Sequence, residues 1–169
     1  MMRVLLCFAL TLALFGQQTQ ESPKIDVYFS PGDNPTAALV KALDNAKSSV
    51  KVQAYSFTSA PIAAALKKAH DRGVDVKVIL DKSQRTEKYS SSTFLQHAGI
   101  PVWIDTKHAI AHNKVMVLDE TITVSGSFNF TKSAEERNAE NMLIISDRDL
   151  AKRYLQNWET HRQHSEALQ

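Results

Sequence analysis

The segment from His112 to Asn129 gathers side chains that could cleave a phosphodiester. It reads HNKVMVLDETITVSGSFN and carries an imidazole, an ammonium group and two hydrogen-bond donors, at His112, Lys114, Ser127 and Asn129. A neutral imidazole can attack phosphorus and form a covalent phosphohistidine, which divides one difficult step into two easier ones. Fixed positive charge and hydrogen-bond donors can stabilise the negative charge that builds on the phosphate oxygens. The pattern therefore indicates phosphoryl chemistry carried by side chains, and it predicts no cofactor.

Two short strands are predicted to position these groups. Val115 to Leu118 and Thr121 to Ser125 are β-branched and apolar runs, and Asp119-Glu120 between them predicts a tight turn. A loop of even length centred there places His112 opposite Ser127, at the roughly 5 Å that separates cross-strand side chains. Since alternate residues of a strand share a face, the polar groups are expected to converge on one patch.

The remaining polar residues of the segment have plainer interpretations. Asp119 lies at the predicted hairpin tip and points away from the patch, so it is expected to form the turn by hydrogen bonding its own backbone. Gly126 is expected to be structural, and Ser127 and Asn129 could themselves be ordinary turn residues. His108 precedes His112 by four residues, which suits paired metal ligands on a helix. The intervening segment reads as a loop, so no metal site is predicted.

The spacing resembles the HKD motif of the phospholipase D superfamily at every defining position: His112-x-Lys114, then Asp119, then Gly126-Ser127-x-Asn129. In this family a downstream acidic residue orients the motif histidine. Glu140, which lies 28 residues after His112, is similar in position. The resemblance therefore adds Glu140 to the catalytic set, although an exposed charge at the start of a strand is the alternative.

A single copy of the motif has a consequence for assembly. One histidine cannot be the nucleophile and the acid for the leaving group at the same instant, and superfamily members obtain two histidines from two motifs. The chain carries one motif, so the resemblance implies an obligate homodimer through the active-site face. A two-fold axis would then place both copies of His112, Lys114 and Asn129 around one phosphate.

Strand-like and helix-like segments alternate along the chain, which is typical of an α/β fold. Four predicted strands are joined by helical crossovers and a fifth follows the hairpin, at residues 25–29, 50–57, 74–80, 101–104 and 142–145. The predicted helices cover residues 35–46, 61–72, 90–97 and 147–163. Crossover connections favour parallel pairing. We therefore expect one domain, residues 23–169, with a mixed, mostly parallel β-sheet sandwiched between helices.

Residues 1–22 are predicted to be a signal peptide with a short linker. Arg3 precedes an apolar run from Val4 to Phe15, which is shorter than the roughly 20 residues that span a bilayer. The expected location is periplasmic or secreted, with an uncleaved anchor as the alternative. The one cysteine, Cys7, lies in this leader, so the mature chain would form no disulfide and no cysteine-ligated zinc site.

The formal charge of +2 says little about partners, so the substrate is inferred from the resemblance. Short, secreted, single-motif members are bacterial endonucleases of the Nuc type, which are dimeric, metal-independent and poorly selective for sequence. Nucleic acid, most simply DNA, is thus the expected partner, with no stable membrane partner. Basic residues in predicted loops could follow its backbone, namely Lys82, Arg85, Lys107 and Lys132, although scattered lysines can equally be a solvated surface.

Two other functions fit the same residues. A lipid phosphodiesterase of the cardiolipin-hydrolysing kind would favour apolar loops near the site, and Ala109-Ile110-Ala111 beside His112 is mildly apolar. A dimer that binds nucleic acid without cleaving it is the alternative outside the enzymes. It is weakened because all the proposed reactive residues are present.

Overall fold

The computed structural model describes residues 22–168, which form an eight-stranded sheet with five α-helices and one short 3-10 helix, Lys82–Arg85. The strands are β1 (Lys24–Ser30), β2 (Ser49–Ala54), β3 (Asp75–Asp81), β4 (Val102–Asp105), β5 (Lys114–Leu118), β6 (Ile122–Gly126), β7 (Glu140–Ser146) and β8 (Glu166–Ala167). The helices are α1 (Pro35–Asn45), α2 (Ala60–Asp71), α3 (Ser92–His97), α4 (Lys132–Glu136) and α5 (Arg148–His164). The predicted leader and linker, residues 1–22, lie outside the described residues except for Ser22.

Helices cover both faces of the sheet, as the sequence predicts. On one face, α1 and α2 pack over the strands through a large apolar cluster that includes Leu39, Leu66 and Val78. On the other face, Ala151 of α5 packs against Val115 and Val117, which both lie on β5. The side chain of Asp147 accepts a hydrogen bond from Leu150 N at 3.0 Å and so begins α5. The α/β sandwich is therefore confirmed.

The strand order is β1-β7-β6-β5-β2-β3-β4-β8, and it corrects the expectation of a mostly parallel sheet. Only β2–β3 and β3–β4 are parallel pairs, whereas the other five neighbouring pairs are antiparallel. The crossover through α1 does return β2 in the direction of β1. However, β5, β6 and β7 lie between β1 and β2, and every neighbouring pair from β1 to β2 is antiparallel.

The hairpin of β5 and β6 forms, but its predicted register is wrong by one residue. Met116 pairs with Val124 and Leu118 with Ile122, so three residues connect the strands instead of two. The connection begins with Asp119 and Glu120 in left-handed conformations, at φ 51° and 56°. Thr121 is the additional residue before pairing starts. Extending the observed register places His112 level with Phe128, and not with Ser127.

One edge of the sheet collects the residues that could do chemistry. Strands β1, β2, β3, β4 and β6 run in the same direction, and β5 and β7 begin at the edge where these strands end. His112 precedes β5, Asn129 follows β6, and Glu140 is the first residue of β7. Ligands of α/β sheets bind beyond the carboxyl ends of such strands.

None of the helices between residues 22 and 168 has both the length and the apolar character that a membrane crossing requires.

Candidate active site

His112 and Lys114 form the centre of the site. The Lys114 ammonium lies 3.2 Å from Nδ1 of His112 and donates to the His112 carbonyl oxygen at 2.9 Å. The His112 side chain is exposed, whereas Lys114 is 8% exposed. Substrate can therefore reach the His112 ring, and the ammonium group of Lys114, the first residue of β5, lies next to that ring.

Burial and charge act on Lys114 in opposite directions. Its ammonium lies 5.2 Å from the centre of the Tyr55 ring, and that ring also stands 4.6 Å from the His112 ring, centre to centre. Burial lowers the pKa of Lys114, and the negative charge of Glu140 partly opposes this by raising it. The Tyr55 ring thus lies beside the lysine, and Glu140 acts on it electrostatically. Tyr55 was not predicted from sequence, although its position just after β2, at the functional edge, is the signal that could have found it.

Asn129 and Ser127 lie beyond the end of β6. Asn129 stands between Phe128 and Phe130, which are both buried in the core, and its own carbonyl oxygen Oδ1 is buried without a hydrogen-bond partner among the described residues. Such a group is costly and commonly serves a ligand. Ser127 is exposed, and its hydroxyl oxygen accepts a hydrogen bond from the backbone N–H of Asn141 at 3.1 Å. The hydroxyl hydrogen of Ser127 can still be donated.

Glu140 is at the same edge but contacts a different partner from the one predicted. Its Oε1 accepts a hydrogen bond from Asn138 Nδ2 at 3.0 Å, and its charge acts on Lys114. The group at Nδ1 of His112 is the Lys114 ammonium. Within the described chain, the Lys114 ammonium therefore interacts both with the charge of Glu140 and with the His112 ring, and the Glu140 carboxylate does not contact the histidine directly.

Asp119 is structural, but not through its own turn. Its carboxylate accepts hydrogen bonds from the backbone N–H groups of Lys47, Ser48 and Ser49 at 2.7–3.1 Å, and from the Ser48 hydroxyl at 3.0 Å. Burial opposes ionisation, but these hydrogen bonds outweigh it and lower the pKa of Asp119. The residue therefore joins the hairpin tip to the connection between α1 and β2, because the left-handed turn directs its side chain toward that segment. The predicted hydrogen bonding to its own backbone is wrong.

Gly126 is required by the backbone at the end of β6. Its φ is +146°, and a Cβ at this position would collide with the carbonyl oxygen of Asn141 on β7. Glycine is the residue that tolerates both the conformation and the close approach. Asn141 in turn holds Ser127 and Phe128 through their N–H groups at 3.0 and 3.1 Å. The glycine thus lets β7 approach closely enough to fix the segment that leads to Asn129.

The four basic residues proposed for substrate are not gathered into one patch. Lys82 donates to the His108 carbonyl oxygen at 3.1 Å, beside the loop that leads to His112, and Lys107 is an exposed residue of that same loop. Arg85 pairs instead with Glu166 of β8 at 2.8 Å, and Lys132 lies 3.5 Å from Glu136 on α4. Lys82 and Lys107 are therefore the better placed of the four.

The loop before β5 is held by groups that the sequence patterns did not reveal. Asp81, at the end of β3, accepts a hydrogen bond from the backbone N–H of Ala111 at 2.7 Å, and Gln53 donates to the Asn113 side chain at 3.2 Å. Both contacts flank His112. His108 turns the other way, toward Asp105, so it is not paired with His112.

Comparisons with known proteins identify the family to which the chain is similar. A family model described as "Cardiolipin synthase, PLD-like domain" matches residues 39–162. The phospholipase D of Rickettsia felis is 45% identical over 80% of this chain and 68% of its own. The mitochondrial cardiolipin hydrolase of Canis lupus familiaris is 31% identical over 76% of this chain, which spans 50% of that protein. The crystal structure of a phospholipase D family member, Nuc from Salmonella typhimurium, superposes with a TM-score of 0.83 at 35% identity, covering 88% of this chain and 99% of that one.

Proposed function

The chain belongs to the phospholipase D-like family and is a phosphodiester hydrolase, and from this premise we propose that it is a non-specific endonuclease that forms a covalent phosphohistidine on His112. The observation that carries the proposal is the exposed His112 ring with the buried Lys114 ammonium 3.2 Å away. Lys82 and Lys107, on or beside the loop of His112, supply positive charge for a polyanionic backbone. The similarity to Nuc over nearly its whole length agrees with this choice.

In the first step, Nε2 of His112 attacks phosphorus, and the bond from phosphorus to the leaving oxygen breaks as the P–N bond forms. Lys114, Ser127 and Asn129 donate hydrogen bonds to the non-bridging oxygens as their charge builds. When Lys114 turns to the phosphate, it releases Nδ1 of His112. Nδ1 can then carry the ring proton and donate a hydrogen bond to the Glu140 carboxylate, which fixes the tautomer in which Nε2 is the nucleophile.

The leaving oxygen needs a proton, and His112 of a second subunit supplies it. That imidazole then removes a proton from water, whose oxygen attacks phosphorus; the P–N bond breaks as the new P–O bond forms, and His112 is regenerated. No step requires a metal ion at phosphorus. In the single chain, the His112 ring is exposed, and so is Ile110, which is 57% exposed two residues earlier. A two-fold contact over this edge would cover both residues and bring the two rings to one phosphate.

A lipid phosphodiesterase is the second candidate. The exposed Ile110 beside His112 favours it, and two similar proteins are called phospholipase D and cardiolipin hydrolase. The chemistry at phosphorus would be the same, so the site alone does not separate a lipid from a nucleotide leaving group.

Export to the periplasm or outside the cell also belongs to the proposal, and the N-terminal residue of the mature protein would test it.

The test follows cleavage of plasmid DNA, RNA and cardiolipin vesicles in excess chelator, with far-UV circular dichroism recording the fold. We expect cleavage of nucleic acid to persist in chelator and to disappear in His112→Ala, while DNA binding survives. His97→Ala, an exposed histidine on α3, is the matched control and should cleave normally. Rapid quench in denaturant at alkaline pH, where the P–N bond of a phosphohistidine is stable, should trap a protein whose mass has grown by one phosphorylated product fragment, located on His112.

The outcomes separate the candidates. Cleavage of cardiolipin but not of nucleic acid would favour the lipid enzyme. Binding without cleavage in the unchanged protein would favour the non-catalytic dimer. Loss of cleavage in chelator at an unchanged thermal midpoint would overturn the metal-independent reaction, and absence of a His112 adduct during turnover would overturn the covalent step.

A further inference from the structure

A second cluster of polar residues lies at the same edge of the sheet, separate from His112. Three histidine nitrogens converge on one carboxylate oxygen, Oδ2 of Asp105: Nδ1 of His161 at 2.7 Å, Nδ1 of His108 at 2.9 Å and Nε2 of His164 at 3.3 Å. One ligand atom from each of the four residues lies within 4.8 Å of the other three. The three ring centres lie 4.7–5.3 Å from one another.

The cluster is built from two separate stretches of the chain, residues 105–108 and 161–164, and is partly closed to solvent. Asp105 ends β4 and is fully buried, and His108 follows it after a short turn. His161 and His164 are three residues apart on the last turn of α5, with side chains 14% and 19% exposed. The other oxygen of Asp105 accepts the backbone N–H groups of Lys107 and His108, at 3.1 and 3.3 Å. This second set of contacts fixes the carboxylate, as outer-shell partners do for metal ligands.

We propose that Asp105, His108, His161 and His164 bind one divalent transition-metal ion, best matched by Zn²⁺. Imidazole nitrogen and carboxylate oxygen are ordinary zinc ligands, and four protein ligands around one point suit its tetrahedral preference. Four protein ligands also leave no position for substrate, so the site is structural. A carboxylate oxygen has about two lone-pair directions for hydrogen bonds. Three ring nitrogens aimed at the same oxygen are better explained by a shared cation close to it.

The position of the site gives the ion a function. It would join the end of β4, the loop of residues 106–113 and the C-terminal end of α5. Asp81 holds the far end of this loop through Ala111, next to His112. The ion would therefore fix the loop from its first turn and limit the movement of His112. This inference departs from the sequence expectation that no metal site exists, and it does not depend on the substrate of the enzyme.

Metal content is the direct test. The purified chain is loaded with Zn²⁺, gel-filtered without chelator, and analysed by elemental mass spectrometry together with its thermal midpoint. We expect about one zinc per chain and a midpoint that falls on removal of the ion, because a ligand of the folded state stabilises it. His161→Ala and His164→Ala should each weaken zinc binding by roughly 100-fold or more, since loss of an outer-shell partner alone costs 10–100-fold.

Two matched variants and a spectroscopic probe keep the test clear. His97→Ala removes an exposed histidine of α3, and His112→Ala removes the nucleophile; both should still hold one zinc per chain. Co²⁺ in place of Zn²⁺ should give the absorption bands of a tetrahedral site, and they should disappear in His161→Ala. Circular dichroism establishes that the variants are folded before their zinc content is compared.

Several results would overturn the proposal. A chain that keeps no zinc after loading has a hydrogen-bonded histidine cluster and not a metal site. Zinc lost equally in His97→Ala would indicate surface binding, and zinc lost in His112→Ala would place the ion at the reacting histidine. Because the readouts are zinc content, the thermal midpoint and the cobalt spectrum, the inference can fail while the proposed nuclease activity holds, and the reverse.

Discussion

The Lys114 ammonium lies 3.2 Å from Nδ1 of His112 and hydrogen bonds to the carbonyl oxygen of that same residue at 2.9 Å. The cation and the nucleophile therefore form one unit, and any change in the charge of Lys114 reaches the imidazole directly. Burial already lowers the pKa of Lys114, and Glu140 keeps it from falling further. The alkaline limit of the enzyme is thus expected to depend on a carboxylate that does not contact the histidine in the described chain.

Glu140→Gln should shift the alkaline limb of the pH–rate profile to lower pH. The carboxylate raises the pKa of Lys114, so its removal leaves burial unopposed and the ammonium loses its proton at a lower pH. The measurement is kcat/KM against pH for both proteins. Glu159→Gln, at an exposed position of α5, is the control. If the alkaline limb does not move in Glu140→Gln, Glu140 does not control the pKa of Lys114.

Lys114→Gln should lower kcat by about 10²–10³-fold, the usual loss when one donor to a developing oxyanion is removed. The buried ammonium serves the transition state more than the bound substrate, so KM should change little. Lys107→Gln removes an exposed lysine of the neighbouring loop and should instead raise KM and weaken its dependence on salt. Equal effects of the two substitutions would show that Lys114 provides only general positive charge.

The sequence predicted the sandwich, the single domain and the residues on the motif strands, because periodic apolar patterns and the motif spacing are local signals. It did not predict the order of the strands. The placement of β7 between β1 and β6 depends on contacts such as Ile25 with Ile145, which are far apart in the chain. The short helix α4 and strand β8 were also missed, since five and two residues carry too little periodicity.

The site was predicted unevenly for the same reason. His112 and Lys114 are two residues apart, so local spacing was enough to place them side by side. The hairpin register was wrong because Thr121 adds a residue between the left-handed pair Asp119-Glu120 and the first paired residue, Ile122, and no residue type in the sequence signals that addition. The convergence of Asp105 with His161 joins residues 56 positions apart, and no spacing rule along one element could have indicated it.

Asp119→Asn should destabilise the fold by about 1.5–3 kcal/mol at neutral pH, the usual range for hydrogen bonds to a charged group. Asparagine tolerates the left-handed backbone, so the loss comes from removing the negative charge and from replacing Oδ2, which accepts from the N–H group of Lys47, by an amide N–H. Because the folded pKa of Asp119 is lowered, its contribution is present above the unfolded pKa of about 3.9 and disappears as pH falls through the folded value.

The free energy of unfolding of the wild type and Asp119→Asn should therefore differ most near pH 7 and converge below about pH 4. Urea unfolding at a series of pH values measures this. Asp44→Asn, at an exposed position of α1, should show no such convergence. A difference between wild type and Asp119→Asn that is the same at every pH would mean that the charge of Asp119 is unimportant.

Gly126→Ala should cost about 2–4 kcal/mol of stability, since it combines a strained φ with a collision against backbone. Gly32 provides a matched control, because its φ of +140° is close to the +146° of Gly126 and open space surrounds the position where its Cβ would lie. Gly32→Ala should therefore lose only the part due to φ. Urea unfolding measures both losses of stability. If Gly126→Ala and Gly32→Ala lose the same free energy of unfolding, β7 can move away from β6 at no cost, and the close approach of Asn141 does not require glycine.

Asn129→Ala should separate stability from activity. The side-chain oxygen of Asn129 is buried without a partner among the described residues, and an unpaired buried polar group costs roughly 1–3 kcal/mol. Its removal should leave the free energy of unfolding unchanged or higher, while kcat/KM falls by about 10²–10³-fold because a donor to the phosphate is lost. Ser127→Ala, which removes an exposed hydroxyl that accepts from Asn141, should lower activity without raising stability. If Asn129→Ala unfolds more easily and cleaves normally, the residue belongs to the packing of Phe128 and Phe130, and the phosphate oxygens are bound by Lys114 and Ser127 alone.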